Sequence, residues 1–537
     1  MYENSSLHKQ DGGVETVSPN LIRMADISSN NKRIAKNTVF LYLRMLFILL
    51  VSLYTSRVVL NVLGVVDYGI YNVVAGFVTM FAFINSSLTA CIQRFYNYEN
   101  GRRGTDGIRT VYSLSCIIQI ILALVVLLTV ETVGLWYLNN KMVIPENRLF
   151  SANILFQCAV FSLISVIIQV PYSASIIAKE RMDYYAIVGI IDVILKLLIV
   201  IILPYLPYDK LISYSSLLVI TAIVDFLLYF VYAKVHFKEL AFCKDFSYSL
   251  FRDMMSFSGW NTIGAMAMVA RNQGLNLILN LFFGPTVNAA RGVAFQVQSA
   301  ITSFIHNIYT AVRPQLTESY AKGEIDRSVS LVYASSKVCF YVLLVLALPV
   351  SFRIDYLLGL WLGDTIPEFS GLFTVIVLIQ SLVDILNTPI TLITMASGKQ
   401  IKKYCLVSSL LGLAVLPIAY VGLKLGAPPV FVFVAGVLIS IFVQIACVRI
   451  MYGIISIPVK EYYKNVLAYI LPVFLLSLIT PYIANAVLPV NFIGFIILFA
   501  SSFISLFVIA YVLGLNNREK SFCIEYIKRL IYKGKKP

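Results

Sequence analysis

Carboxylates and histidines are scarce in this 537-residue chain, which holds 27 Asp and Glu and three His against 42 Lys and Arg. His8, His236 and His306 are too few and too dispersed to hold a metal. The eight cysteines (Cys91, Cys116, Cys158, Cys243, Cys339, Cys405, Cys447 and Cys523) include no C-x-x-C pair, so neither a disulfide framework nor a zinc site is indicated. The phosphate-binding signature G-x-x-x-x-G-K-[ST] is absent, and so is the soluble bulk that would house an ATPase. No cofactor is expected. Charged residues of both signs reach only 13% of the chain. What fills it is apolar: 59% of residues are hydrophobic and the mean hydropathy is +0.83.

That apolar content is grouped. Fourteen stretches, at 37–63, 68–96, 110–138, 150–177, 184–204, 211–233, 254–283, 286–312, 332–351, 368–396, 403–423, 428–450, 464–487 and 491–514, each suffice to cross a bilayer core, which takes about 20 apolar residues per helix. Backbone polar groups in lipid must be satisfied within the helix, and the runs lack the period-two alternation of barrel strands. The expected fold is an all-α polytopic membrane protein with about fourteen transmembrane helices. Residues 1–36 are polar, without the apolar core of a signal peptide, and read as a disordered cytoplasmic N-terminus.

Charge sets the expected orientation. Arg102, Arg103 and Arg109 follow the second segment, Lys179 and Arg181 the fourth, Lys234, Lys238, Lys244 and Arg252 the sixth, and Lys399, Lys402 and Lys403 the tenth. The tail adds Arg518, Lys520, Lys528, Arg529, Lys533, Lys535 and Lys536. About 30 basic residues thus share one side, while Lys141, Arg148, Lys210, Arg353 and Lys424 fall on the other. The positive-inside rule then places both termini in the cytoplasm. The net charge of +15 is topological and needs no nucleic-acid partner.

The chain also repeats weakly at a spacing near 220. LNVLGVVDYGIYNVVAG from Leu60 parallels LILNLFFGPTVNAARGVAF from Leu277, with Gly64 matching Gly284. PYSASIIAKER from Pro171 parallels PITLITMASGK from Pro389. Two six-helix bundles, 37–233 and 254–450, follow as parallel copies, joined by a hinge-bearing cytoplasmic linker at 234–253. Two added helices lie within 451–514, and a basic tail covers 515–537. Transporters built on such repeats bind substrate between the halves.

Polar residues inside the segments point to a cavity. Asn288, Arg291, Gln298, Thr302, His306, Tyr309 and Arg313 share one face of the eighth segment. Asn261, Asn272, Asn276 and Asn280 mark the seventh, with Arg271 beside them, and Asn72, Thr79, Ser86, Gln93 and Asn97 mark the second. Interhelical hydrogen bonding is the alternative use of such groups. Arg44 lies about 12 Å deep in the first segment at 1.5 Å per residue, and Arg271 lies near mid-bilayer. A guanidinium there costs roughly 2.5–3.5 kcal/mol on insertion scales, which calls for a partner or a function. Arg44, Arg57, Arg271 and Arg291, with Asn72, Asn272, Asn276 and Gln298, are the candidate substrate-binding residues. Arg57 and Arg291 sit closer to segment ends. A cationic cavity suits an anion, and guanidinium forks grip diphosphate well. Asp225, Asp384 and Glu131 are candidates for a coupling proton or sodium ion, whereas Asp192 and Lys196, four apart, form a structural pair.

NKRIAKNTVFLYLRMLFILLVSLYTSRVVLNVLGVVDYGIYNVVAGFV from Asn31 and SLTACIQRFYNYENGR from Ser87 resemble the start of bacterial polysaccharide biosynthesis flippases. These are the O-antigen or capsule repeat-unit translocases of the multidrug/oligosaccharidyl-lipid/polysaccharide exporter superfamily. The resemblance implies two bundles alternating between inward-open and outward-open forms. The implied cargo is an undecaprenyl-diphosphate-linked oligosaccharide, moved from the cytoplasmic to the periplasmic leaflet of the bacterial inner membrane, where a polysaccharide polymerase or other pathway proteins are the partners besides the bilayer. The family's cationic cavity is lined by helices 1, 2, 7 and 8, which here carry Arg44, Arg57, Arg271 and Arg291. A cation-coupled multidrug exporter or a lipid II flippase of the same superfamily would share the fold. A non-enzymatic transporter is expected in each case. Met24 begins a plausible second start, so a chain beginning there is expected to retain transport in a complementation assay.

Overall fold

The computed structural model describes residues 50–521 except 79, 180, 244–246, 398–399, 456–457 and 518. The chain divides into two compact units, Met1–Tyr54 and Thr55–Pro537. Of the first, only Leu50–Tyr54 is described, and it is helical. Arg44, Thr79, Lys244, Arg518 and the tail from 522 onward, with Cys523, lie outside the described residues.

No strand occurs among the described residues, and the fold is all-α. Its main helices are α1 (Leu50–Val78), α2 (Phe83–Thr129), α3 (Leu149–Ala178), α4 (Met182–Ile202), α5 (Lys210–His236), α6 (Tyr248–Phe283), α7 (Pro285–Ala321) and α8 (Ile325–Phe352). There follow α9 (Ile354–Leu362), α10 (Ser370–Asp384), α11 (Asn387–Ser397), α12 (Ile401–Leu413), α13 (Val415–Lys424), α14 (Val430–Ile455), α15 (Val459–Val487) and α16 (Phe492–Gly514).

Eleven described stretches are long and apolar enough to cross a membrane, three fewer than the fourteen expected. The shortfall has a physical origin. The 36-residue α6 and 37-residue α7 carry the polar stripes and do not qualify. The first two expected segments meet within α1, which counts once.

Glycine places the turns between successive rods. Gly64 (φ 75°) and Gly284 (φ 73°) both adopt positive φ, which other L-residues avoid. Gly104 (φ 61°) and Gly323 (φ 76°) do the same about 40 residues later in each half. Pro285 follows Gly284 and opens α7, where its missing N–H costs nothing.

Within the second unit, α3 packs on both α2 and α5, with α4 against α5. In the other half, α7 packs on α8, α10 and α11, and α14 packs on α10, α12 and α13. Helix α6 belongs to both sets, touching α2 on one side and α12 and α13 on the other. The added helices α15 and α16 lie against each other and α8. Lys337 of α8 is fully buried and pairs with Glu519 at 2.5 Å, just beyond α16. Large apolar side chains such as Ile120, Leu124, Leu128 and Phe507 face outward, as hydrocarbon solvent permits.

The linker after α5 is bound to the first bundle over its first half. Phe237 and Leu240 are buried in the core formed by α2, α3 and α5. Glu239 pairs with Lys179 at 2.7 Å, and the Ser113 hydroxyl accepts the Cys243 N–H at 2.7 Å. Lys234 donates to the Leu240 carbonyl at 2.8 Å and lies over the Tyr112 ring at 4.6 Å.

At the Gly64 end of that bundle, Arg148 joins three helices. Its Nε donates to Asp67 of α1 at 2.7 Å, and its Nη1 donates to Asp209 at 2.6 Å. Asp209 also caps α5, accepting the Leu211 and Ile212 amides. Partial burial raises the Asp209 carboxyl, but the Arg148 guanidinium and the two amides outweigh it and hold it below the ordinary carboxylate value. A depressed carboxyl stabilises the fold above its unfolded pKa, and that contribution is lost as pH falls through the folded value. Asp209→Asn is expected to lower the unfolding free energy by about 2 kcal/mol at pH 7. The difference from wild type should shrink below about pH 4, as read by thermal melts across pH.

Candidate functional site

The corner between α6 and α7 is made by asparagines. Asn288 donates from Nδ2 to both the backbone oxygen and Oδ1 of Asn276, each at 2.7 Å. Asn276 in turn donates to the Asn72 carbonyl of α1 at 3.0 Å. Asn280 closes a two-way bond with the backbone of Val143, accepting at 2.9 Å and donating at 3.3 Å. Asn276, Asn280 and Asn288 are buried. Asn276 therefore ties helices together, while the Asn72 side chain donates to the Tyr68 carbonyl of its own helix at 2.7 Å, and both lie outside the cavity described below.

Close approach at this corner requires glycine. A Cβ on Gly69 would lie 1.9 Å from the Pro285 carbonyl oxygen, and one on Gly292 would lie 2.9 Å from Asn72 Oδ1. Arg57 reaches from α1 to the Leu360 carbonyl of α9 at 3.4 Å, and Asn61 accepts from Thr365. Arg57 is thus an exposed bridge at this end and does not line the cavity.

Beneath the corner opens a cavity of about 710 Å³. Every lining residue lies between 267 and 436, on α6, α7, α10, α11, α12 and α14 or the turns beside them. Arg271, Asn272, Arg291, Gln298 and Asp384, dispersed in sequence, are brought together here. Arg291 is only 8% exposed; its Nη2 donates to the Asn272 carbonyl at 2.7 Å and its guanidinium lies 4.2 Å from the Phe295 ring. The Arg271 Nε is buried without a hydrogen-bond partner among the described residues. A buried donor left open in this way favours an anionic acceptor. Asp384 accepts from Gln380 at 3.5 Å and feels the Arg271 charge. Gln298 donates to Ser381 at 2.8 Å, and Tyr309 to the Ile385 carbonyl at 2.7 Å.

The other ion-coupling candidates lie elsewhere. Glu131 accepts from Gln157 of α3 at 3.1 Å. Asp225 of α5 faces Asp192, which pairs with Lys196 at 2.8 Å as expected. Sequence reading missed Gln380, Ser381, Thr388, Thr391, Tyr404 and Ser408, which supply much of the polar lining. The available signal was the Gln380–Asp384 pair, one helical turn apart in an otherwise apolar run.

Residues 34–320, more than half of the chain, match the family described as polysaccharide biosynthesis protein. The chain belongs to that family. Its fold is shared with solved transporters. A lipid II flippase MurJ in an inward-closed conformation matches over 88% of this chain and 98% of its own, at 12% identity and a TM-score of 0.70. An inward-facing multidrug resistance MATE transporter of the MOP superfamily matches over 78% and 99%, at 14% identity and a TM-score of 0.64. A MATE in a bent conformation covers 76% and 98%, at 12% identity and a TM-score of 0.51. No curated protein matches the sequence. The chain is a multi-pass membrane protein with the fold of MOP-superfamily flippases and transporters.

Gly69→Ala is expected to destabilise the closed corner by about 1–3 kcal/mol through overpacking. In a cysteine-less background, it should raise thiol-reagent labelling of a cysteine introduced at Asn288.

Proposed function

We propose that this protein flips an undecaprenyl-diphosphate-linked oligosaccharide repeat unit from the cytoplasmic to the periplasmic leaflet, for assembly of a surface polysaccharide such as O-antigen, capsule or exopolysaccharide. The observation that carries this reading is the pair of guanidiniums in one membrane-embedded cavity, with the Arg271 Nε lacking a partner. Arg271 and Arg291 hold the diphosphate, whose oxygens match their donor geometry. Arg57 attracts the anion at the periplasmic end. Asn272 and Gln298 contact the head group, while the polyprenyl tail stays in lipid and the halves rock about the linker. Asn72 and Asn276 act at a remove, by keeping the corner shut while the cargo loads.

Asp384 is the ion-coupling residue this reading favours, because it shares the cavity with Arg271. The membership of the polysaccharide biosynthesis family supports a glycan cargo over a drug. The lining's two arginines against one carboxylate also disfavour a cationic drug. Both termini lie in the cytoplasm in this scheme, and the polymerase that receives the flipped unit is the natural pathway partner.

The test is transport of undecaprenyl-diphosphate-linked oligosaccharide in proteoliposomes, alongside deletion of the gene in its host. Deletion should trap the repeat unit facing the cytoplasm and remove the surface glycan. Arg271→Ala should lower transport by at least about tenfold through loss of a charge-assisted contact, with the protein still membrane-inserted. Retained transport in Arg271→Ala would sink the assignment of that residue, and an intact surface glycan on deletion would reject the glycan cargo.

A further inference from the structure

The cavity has two chemically different tiers. At one height Arg271 reaches past Gly412 of α12, where a Cβ would lie 3.8 Å from its Cδ and 3.9 Å from its Nη1. Eight residues earlier on the same helix stands Tyr404, about 12 Å away at 1.5 Å per residue. Its hydroxyl meets that of Thr391 at 2.5 Å. Tyr309, Thr388 and Ser408 complete this second tier, which contains no charged side chain among the described lining residues.

Two of the second-tier hydroxyls, those of Ser408 and Thr391, bond to backbone on their own helices. Ser408 donates to the Tyr404 carbonyl at 2.7 Å, and Thr391 to the Asn387 carbonyl at 2.9 Å, each one turn back on its own helix. Their protons are therefore engaged with backbone; the Thr391 oxygen accepts the Tyr404 hydroxyl, and the Ser408 and Tyr404 oxygens remain as acceptors. A wall of neutral acceptors beside tyrosine rings complements a ligand rich in O–H donors and apolar C–H faces. A diphosphate would gain nothing from it, and a lipid tail would leave its polar groups unpaired.

We infer that the tier formed by Tyr309, Thr388, Thr391, Tyr404 and Ser408 binds an uncharged sugar beyond the first ring of the cargo, and so selects among repeat units. This rests on the lipid-linked reading above and divides its labour: the arginines hold what all such lipids share, and the hydroxyl tier reads what differs between them. Ser408, four residues from Gly412, is only about 6 Å along the helix, but the rise of about 12 Å puts the far end of the tier, Tyr404 with Thr391, beyond a single sugar attached to a diphosphate at Arg271. An extended neutral glycan spans it. Sites built to hydrogen-bond a ligand discriminate strongly against analogues that leave those bonds unmade.

The experiment reconstitutes the full chain with two probes, undecaprenyl diphosphate carrying one neutral sugar and the same lipid carrying a neutral trisaccharide. Transport is read as the trisaccharide-to-monosaccharide ratio. The near-isosteric double variant Thr391→Val/Tyr404→Phe should lower that ratio about tenfold, the equivalent of one or two hydrogen bonds. Thr388→Val, changed without loss of volume, should lower it in the same direction. Arg271→Ala should depress transport of both lipids together. An unchanged ratio in both hydroxyl variants overturns the tier assignment while leaving the flippase reading intact. Failure of the wild-type protein to move either lipid overturns the flippase reading, and the tier assignment with it.

Discussion

Hydrocarbon offers no hydrogen bond, and that constraint organises this molecule. Each polar side chain carried into the membrane must find a partner in the protein or border a space that water and cargo can fill. The asparagines of α1, α6 and α7 take the first course. Asn276 sits between Asn288 and the Asn72 backbone, so three helices share one set of donors and acceptors at their closed end. Arg271, Arg291 and Asp384 take the second and line the cavity. The two uses lie on adjacent stretches of the same helices, and the closed corner forms the roof of the space below it.

That roof depends on small residues as much as on polar ones. Gly69 lets the α1 backbone approach the Pro285 carbonyl, and Gly292 leaves room for Asn72. Without hydrophobic driving force between helices in lipid, such contacts rest on van der Waals packing and hydrogen bonds, both of which demand proximity. A contact made this way is tight without being covalent. The ion-paired Arg148, Asp67 and Asp209 hold one bundle together at the same end.

Much of the fold was legible because it depends on signals local to the chain. Gly64 and Gly284 were aligned by sequence, and both turn the chain with nearly equal φ. The face carrying Arg291, Gln298, Thr302 and Tyr309 follows from helical spacing, and it does line one cavity. Spacing shows which residues share a face but not what that face meets. Asn72 and Asn276 therefore read like cavity residues, yet Asn276 bonds across to α1 and the Asn72 side chain bonds back to its own helix. Thr391 and Tyr404 were invisible for a related reason: a lone hydroxyl in an apolar segment looks like one bonded to its own backbone. By length and apolar content α6 and α7, the helices whose polar faces border the cavity, do not qualify as spans, because those faces dilute their hydropathy.

The linker sets a mechanical limit. Its residues Phe237 to Cys243 travel with the first bundle, anchored by Lys179 and Ser113. Helix α6 is capped by Ser247, whose hydroxyl accepts the Leu250 N–H. Only the short run from Cys243 to Ser247 joins the two anchored points, and four residues extend to at most about 14 Å. That leash bounds the separation of α6's first turn from the bundle beside it. The gap at this face of the protein has a maximum width written into the chain.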